Sequence, residues 1–115
     1  MNEDCLFCKI AAGEMDADVV DEGDDWIAFR DIDPQAPTHV LVIPREHVSR
    51  VDDLTAEHDA LVGRMFRAAA DVAESEGIVD PGYRLVMNSG RGAGQSVFHI
   101  HLHVLGGRTM SWPPG

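Results

Sequence analysis

The segment Ser96-Val97-Phe98-His99-Ile100-His101-Leu102-His103-Val104-Leu105 constrains this chain more than any other. Side chains in a β-strand point alternately to opposite faces. A strand over Gln95–Leu105 therefore puts His99, His101 and His103 on one face, with neighbouring imidazoles roughly 6.5–7 Å apart at Cα. Phe98, Ile100, Leu102 and Val104 fall on the other face, where they can pack under a helix. Three of the six histidines lie within five residues. One histidine in a strand is ordinarily a satisfied core residue, but three on one face make a poor core, because every ring nitrogen needs a partner. Two chemistries use such a row. Histidines at i and i+2 can grip one metal ion, or one imidazole is a nucleophile whose neighbours orient it and bind the substrate's anion.

The residues just upstream favour the second chemistry. Asn88-Ser89-Gly90-Arg91-Gly92-Ala93-Gly94-Gln95-Ser96 supplies small residues, backbone N–H groups, a hydroxyl and one arginine beside the histidine row. Alone, Arg91-Gly92-Ala93-Gly94 reads as a flexible connection. Glycine-rich turns also expose N–H groups as anion-binding concavities, and the three adjacent histidines give such a concavity a use.

Around this segment the pattern is that of a sheet covered by one long helix. The helix is expected over Thr55–Glu76, with Thr55 as N-cap and Glu57 and Asp59 in the favourable first turn. Leu61, Val62, Met65, Phe66, Ala69, Val72 and Ala73 recur at helical spacing on one face, and Gly77 ends the run. Strands are expected at Asp25–Arg30, Thr38–Ile43 and Tyr83–Met87. Asp33-Pro34-Gln35-Ala36-Pro37 and Asp80-Pro81-Gly82 form turns between them. The run His39-Val40-Leu41-Val42-Ile43 is dense enough to be buried on both faces, and Pro44 stops it. A helical turn at Phe7–Ala12 and a strand at Asp18–Asp21 precede these elements. The whole reads as one α+β domain over residues 1–115, without repeats or linkers. A chain of 115 residues buries roughly 65% of its unfolded surface, enough for one core.

Charge narrows the partners. The net charge is -11, with one lysine and eight arginines, so nucleic-acid backbones are repelled and only a local pocket can take a phosphate. No apolar run approaches the ~20 residues of a membrane span. The acidic start Met1-Asn2-Glu3-Asp4 lacks the regions of a signal peptide, so a cytoplasmic protein is expected. There Cys5-x-x-Cys8 reads as a metal knuckle or a redox pair rather than a structural disulfide.

His99-Ile100-His101-Leu102-His103-Val104-Leu105 resembles the His-x-His-x-His-x-x signature of the histidine-triad nucleotide hydrolases and transferases. The likeness extends through Asp31-Ile32, Pro34-Gln35-Ala36-Pro37-Thr38-His39, Leu41-Val42-Ile43-Pro44 and His47. Gly94-Gln95-Ser96-Val97, Gly106-Gly107-Arg108 and the tail Trp112-Pro113-Pro114-Gly115 are similar to the Hint branch in particular. That resemblance implies an α+β fold with a five-stranded antiparallel sheet, one long helix and a short N-terminal helix, dimerising into a continuous sheet. It also implies a hydrolase of purine nucleoside phosphoramidates, such as adenosine monophosphate joined to an amine or to lysine. In that scheme His101 attacks phosphorus and forms a nucleotidyl-histidine intermediate, which water hydrolyses without any cofactor. His103, Ser96 and the N–H groups around Gly94 and Gln95 hold the phosphoryl oxygens. Asp31 accepts from the ribose hydroxyls, Asn88 helps at the sugar and phosphate, and Phe7, Ile27, Phe29 and Ile32 line a slot for the base. Trp112 reaches toward the partner's site in a homodimer. Similar microbial proteins bind zinc, so the resemblance implies a structural Zn2+ on Cys5, Cys8, His47 and His99, taking the first triad histidine for structure. Arg30 and Asp33, flanking Asp31, depart from the branch, which often has histidine and serine there. Other branches are dinucleoside polyphosphate hydrolases or nucleotidyl transferases, and a nucleotide-binding regulatory module with incidental hydrolysis would use the same pocket.

Overall fold

A computed structural model describes residues 4–115. Five strands form one antiparallel sheet in the order β1-β2-β3-β5-β4. They are β1 (Val19–Glu22), β2 (Trp26–Arg30), β3 (Thr38–Pro44), β4 (Tyr83–Val86) and β5 (Leu102–Gly106). A short helix α1 (Leu6–Ala11) precedes them, and α2 (Asp59–Ser75) links β3 to β4. The α+β class, the long helix and the short N-terminal helix are as expected. None of the described helices is long and apolar enough to cross a membrane.

Every residue of β3 is buried, because both faces of the strand are covered. Val40 and Val42 join Ala28, Leu102 and Val104 beneath α2, where Leu61, Met65, Ala69 and Val72 close the larger core. The opposite parity, Leu41 and Ile43 with Ile27 and Phe29, packs against Phe7, Cys8 and Ile10 of α1. Alternation thus sends one set of each strand's side chains to α2 and the other set to α1. His39 and His103 have the second parity, which puts both on the α1 face.

Two expectations need correction. Regular strand structure does not run over Gln95–Leu105; it begins only at Leu102. Val42 is the last β3 residue paired with β5, opposite Leu102. Beyond it the partner strand reaches Pro44, which has no N–H to offer. Ile100 donates its N–H to the Val48 carbonyl instead, at 2.8 Å. Ile100, Leu102 and Val104 do pack under α2, whereas Phe98, preceding the ladder, is exposed. The helix is also shorter than expected. Thr55 caps a single 3-10 turn, Ala56–His58, by accepting from the Glu57 N–H, and α2 follows. Its buried face includes Ala68, while Phe66 is 45% exposed and Val62 half-buried. Gly77 ends the helix at a positive φ of 73°, a conformation that costs glycine little.

Glu76, which caps α2, fastens the helix end to β2 through a two-pronged pair with Arg30, at 2.8 and 3.0 Å. The Arg30 guanidinium holds the Glu76 carboxyl below its ordinary value of 4.5. A carboxylate so depressed contributes stability above its unfolded pKa and loses it as pH falls through the folded one. Glu76→Gln should therefore cost about 0.5–1 kcal/mol at neutral pH, limited by water on the exposed arginine. In urea titrations the difference should shrink steadily once the pH falls below about 4.5.

Candidate active site

The triad lies where β5 enters the sheet, between α1 and the glycine loop. His101 precedes the strand and is buried. Its Nδ1 stands 2.8 Å from the main-chain carbonyl of His99. A carbonyl only accepts, so Nδ1 carries the proton and the neutral ring keeps its lone pair on Nε2. Burial lowers the His101 pKa below its ordinary value, which favours that neutral form. The ring stands edge-on to Phe7 at a centroid separation of 5.0 Å.

The third triad residue has its proton placed by a relay from the opposite side. The Gln35 N–H donates to His39 Nδ1 at 3.0 Å, so a neutral His39 carries its proton on Nε2. That nitrogen is 2.9 Å from His103 Nδ1, leaving the His103 proton on Nε2. His103 Nε2 is buried and has no hydrogen-bond partner among the described residues. Burial lowers the pKa of His39 and takes that of His103 down to about 4, so both rings are neutral near pH 7. A buried, unpaired N–H beside a nucleophilic lone pair can hold a substrate oxygen. His39 is a site residue for which sequence reasoning named no role. The signal available was its parity, because it shares the site face of β3 with Leu41 and Ile43.

Beside His101 and His103 lies a cavity of about 360 Å³ lined also by Phe7, Phe29, Asp31, Ile32 and Ser96. These five were expected at the site. Leu6, Ile10, Met15 and Val97 add apolar wall that the sequence reading did not name. Ile32 is 99% exposed and edges the cavity from outside. Ile27, expected in the base slot, is core against α1 and does not line it. Asp31 Oδ1 accepts the Asp33 N–H at 2.9 Å, and Oδ2 faces His39 Nε2 at 3.4 Å.

Several expected residues act differently. The Gly94 N–H donates to the Arg91 carbonyl and the Gln95 N–H to the Gly90 carbonyl, so the two donors close the loop's own turns rather than facing a phosphate. The Gln95 side chain is a buried clamp. Its Oε1 accepts from the Gly90 N–H at 2.7 Å, and its Nε2 donates to the carbonyls of Ser49 and Val97. It thereby fixes Ser96, which lies between two of the clamped positions. Asn88 is half-buried with its Nδ2 close to Gly94, outside the cavity lining. Trp112 is 81% exposed and lines no part of its own chain's cavity.

His99 turns the other way, toward the N-terminus of α1. Cys5, Cys8, His47 and His99 each bring one ligand atom, all within 4.8 Å of one another. The His99 Nδ1 is 3.4 Å from the Cys5 sulfur and 3.5 Å from that of Cys8, and His47 Nδ1 is 3.3 Å from Cys8. His99 Nε2–H donates to the Pro44 carbonyl at 2.8 Å, which leaves the Nδ1 lone pair facing the sulfurs. A ring nitrogen anchored on a carbonyl is the usual support of a metal-binding histidine. Burial pushes the Cys5 thiol up and takes His99 down to about 4. A cation among them would supply the charge that thiolates need here. The donor set and its supports fit a tetrahedral Zn2+.

The comparisons with known proteins agree with this geometry. The HIT domain model matches residues 12–110. The chain belongs to the HIT family. As a HIT protein it is 51% identical over 110 residues to purine nucleoside phosphoramidase of Escherichia coli, covering 96% of this chain and 92% of that one. A crystal structure of a HIT family hydrolase from Legionella pneumophila superposes with a TM-score of 0.95 at 52% identity, covering 97% and 100% of the two chains. A zinc-bound histidine triad family protein from Mycobacterium smegmatis gives a TM-score of 0.79 at 32% identity, over 92% and 76%.

Proposed function

We propose that this HIT protein hydrolyses the P–N bond of purine nucleoside 5′-phosphoramidates, with His101 as the nucleophile. The observation that carries the reading is the proton arrangement. His101 has its proton committed to the His99 carbonyl, while His103 keeps a buried, unpaired Nε2. The identity to a purine nucleoside phosphoramidase supports the choice of substrate. The base enters between Phe7, Phe29 and Ile32, and Asp31 faces the ribose. His101 Nε2 attacks phosphorus, the P–N bond breaks, and the amine leaves with a proton from water. Ser96 Oγ and His103 Nε2–H hold the oxygens whose charge rises in the transition state. Water then cleaves the P–Nε2 bond, freeing His101 and the nucleoside monophosphate. Asn88, Gly94 and Gln95 contribute by shaping the loop that carries Ser96.

His101→Ala should abolish release of adenosine monophosphate from adenosine 5′-phosphoramidate while leaving nucleotide binding within a few-fold. Unchanged turnover in the variant would remove His101 from the role. Loss of turnover in the parent, with binding kept, would favour a nucleotide-binding module instead.

The same reading gives Cys5, Cys8, His47 and His99 a structural Zn2+, which ties α1 to the triad. Zinc supplies no catalytic step here; it would hold His99 by Nδ1. Protein purified without chelators should carry one zinc per chain, and chelation should lower the melting temperature. Metal analysis finding none would reject the assignment.

A homodimer completes the reading, with Trp112 near the partner's cavity. A continuous sheet needs an open edge strand, and β1 and β4 are the two edges. Sedimentation should give twice the 12.6 kDa of the chain; a monomer at micromolar concentration would refute it.

A further inference from the structure

Adenine and guanine stack alike on apolar side chains and differ chiefly along their Watson–Crick edge. We propose that Asp16 makes this site prefer guanine, by accepting hydrogen bonds from the N1–H and 2-amino groups of the base. The proposal rests on the nucleotide reading of the cavity given above and names the purine it favours.

The cavity beside His101 and His103 is walled mostly by apolar side chains, among them Phe7, Ile10, Met15, Phe29 and Leu41. Six lining residues carry polar or charged side chains: Asp16, Arg30, Asp31, Ser96, His101 and His103. On the reading above, His101, His103 and Ser96 meet phosphorus and Asp31 meets the ribose. The Arg30 guanidinium is held by Glu76 through two nitrogens, at 2.8 and 3.0 Å, with Asp18 3.7 Å from the third. That leaves Asp16. Its side chain is exposed, and among the described residues it makes no hydrogen bond or ion pair.

Backbone pairing sets where this carboxylate stands. Val19 of β1 pairs with Phe29 of β2, and the Arg30 N–H donates to the Asp18 carbonyl at 2.9 Å. The chain ahead of β1 therefore runs antiparallel to the end of β2, toward Ile32. Its other end is tied to α1, where the Glu14 N–H donates to the Lys9 carbonyl at 2.8 Å. Between the two ties, Ala17 packs with the cluster that holds Phe7 and Phe29. In the order β1-β2-β3-β5-β4, β1 is the edge and β5 lies beyond β3. Asp16 thus borders the cavity from the side opposite the triad.

That side is where the far edge of a base comes to rest. With phosphorus at His101 and the sugar at Asp31, the Watson–Crick edge is the part of the nucleotide farthest from the reaction. An ionised aspartate only accepts. Guanine offers it two adjacent donors, N1–H and the 2-amino group, one for each carboxylate oxygen. Adenine offers one donor, the 6-amino group, beside an N1 lone pair that a carboxylate repels. A closed site of this kind discriminates by about 10⁴-fold. Water at the exposed Asp16 side chain reduces the effect to roughly tenfold.

The test is calorimetric titration of the full-length protein with guanosine and adenosine monophosphates, in the parent, Asp16→Ala and Asp16→Asn. Asp16 is exposed and outside the regular elements, so both variants should fold. The parent should bind guanosine monophosphate roughly tenfold more tightly, and Asp16→Ala should bring the two within about threefold. Asp16→Asn offers one acceptor and one donor, matching the adenine 6-amino group and N1, and should move the preference to adenosine monophosphate. On the corresponding 5′-phosphoramidates the parent's preference should appear in KM rather than kcat, because the contact is remote from phosphorus. Equal affinities in the parent, a preference for adenosine monophosphate, or a guanine preference that survives Asp16→Ala would overturn the proposal. The expected binding pattern without turnover would count against the hydrolase reading alone. Failure to bind either nucleotide would reject the nucleotide reading of the cavity, and the proposal with it.

Discussion

The central strand β3 is buried on both faces, and the rest of the molecule follows from how those faces differ. One face presents Val40 and Val42 and closes under α2. The other combines Leu41 and Ile43 with α1, and its remaining position is His39, beside which β5 brings His103. A buried imidazole is tolerable only when its nitrogens are accounted for. That requirement draws in a main-chain carbonyl for His101, the Pro44 carbonyl for His99 and a neighbouring ring for His103. Covering the sheet with α1 thus fixes ring orientations as well as adding apolar contact.

Burial also settles where the protons lie. In water an imidazole is divided between two tautomers and a cation; here the cation is disfavoured at His39, His99, His101 and His103. Fixed acceptors and donors then select one tautomer at each ring. The result is a lone pair at His101 Nε2 and a donor at His103 Nε2, two complementary groups on neighbouring rings 5.0 Å apart. Preorganisation of this kind acts before substrate arrives, so little reorganisation remains for the transition state.

Much of this was legible in the sequence. The parity of His99, His101 and His103 is readable without a structure, and so is the amphipathic stripe of α2. The Cys5-x-x-Cys8 pair showed its metal-ligand types, although joining it to His47 and His99 depended on resemblance. The misses have physical causes. Period-two alternation continues through residues 95–101 in the sequence, yet a strand also needs a partner ladder, and β3 runs out at Pro44. Phe98 therefore lost its expected cover. The N–H groups of Gly94 and Gln95 looked available because composition marks a turn without saying which donors the turn itself consumes. His39 was hidden for the opposite reason. In a dense apolar run it reads as a core residue until β3 and β5 are registered, with Leu41 opposite His103, which brings the two rings together diagonally.

The acidity of the protein bears on how it can hold a phosphate at all. Among the described residues that line the cavity beside His101 and His103, Arg30 is the one cation, and its guanidinium is occupied by Glu76. In the proposed reaction the oxygens on phosphorus meet a hydroxyl and an imidazole N–H, both neutral, in a protein of net charge -11. Neutral donors bind a ground-state anion less tightly than arginine or lysine does. Tight binding of the ground state would lower KM without raising kcat. On the proposed reading, holding the base between Phe7 and Phe29 and leaving phosphorus to uncharged donors reserves most of the electrostatic gain for the transition state, where the charge on those oxygens is greatest.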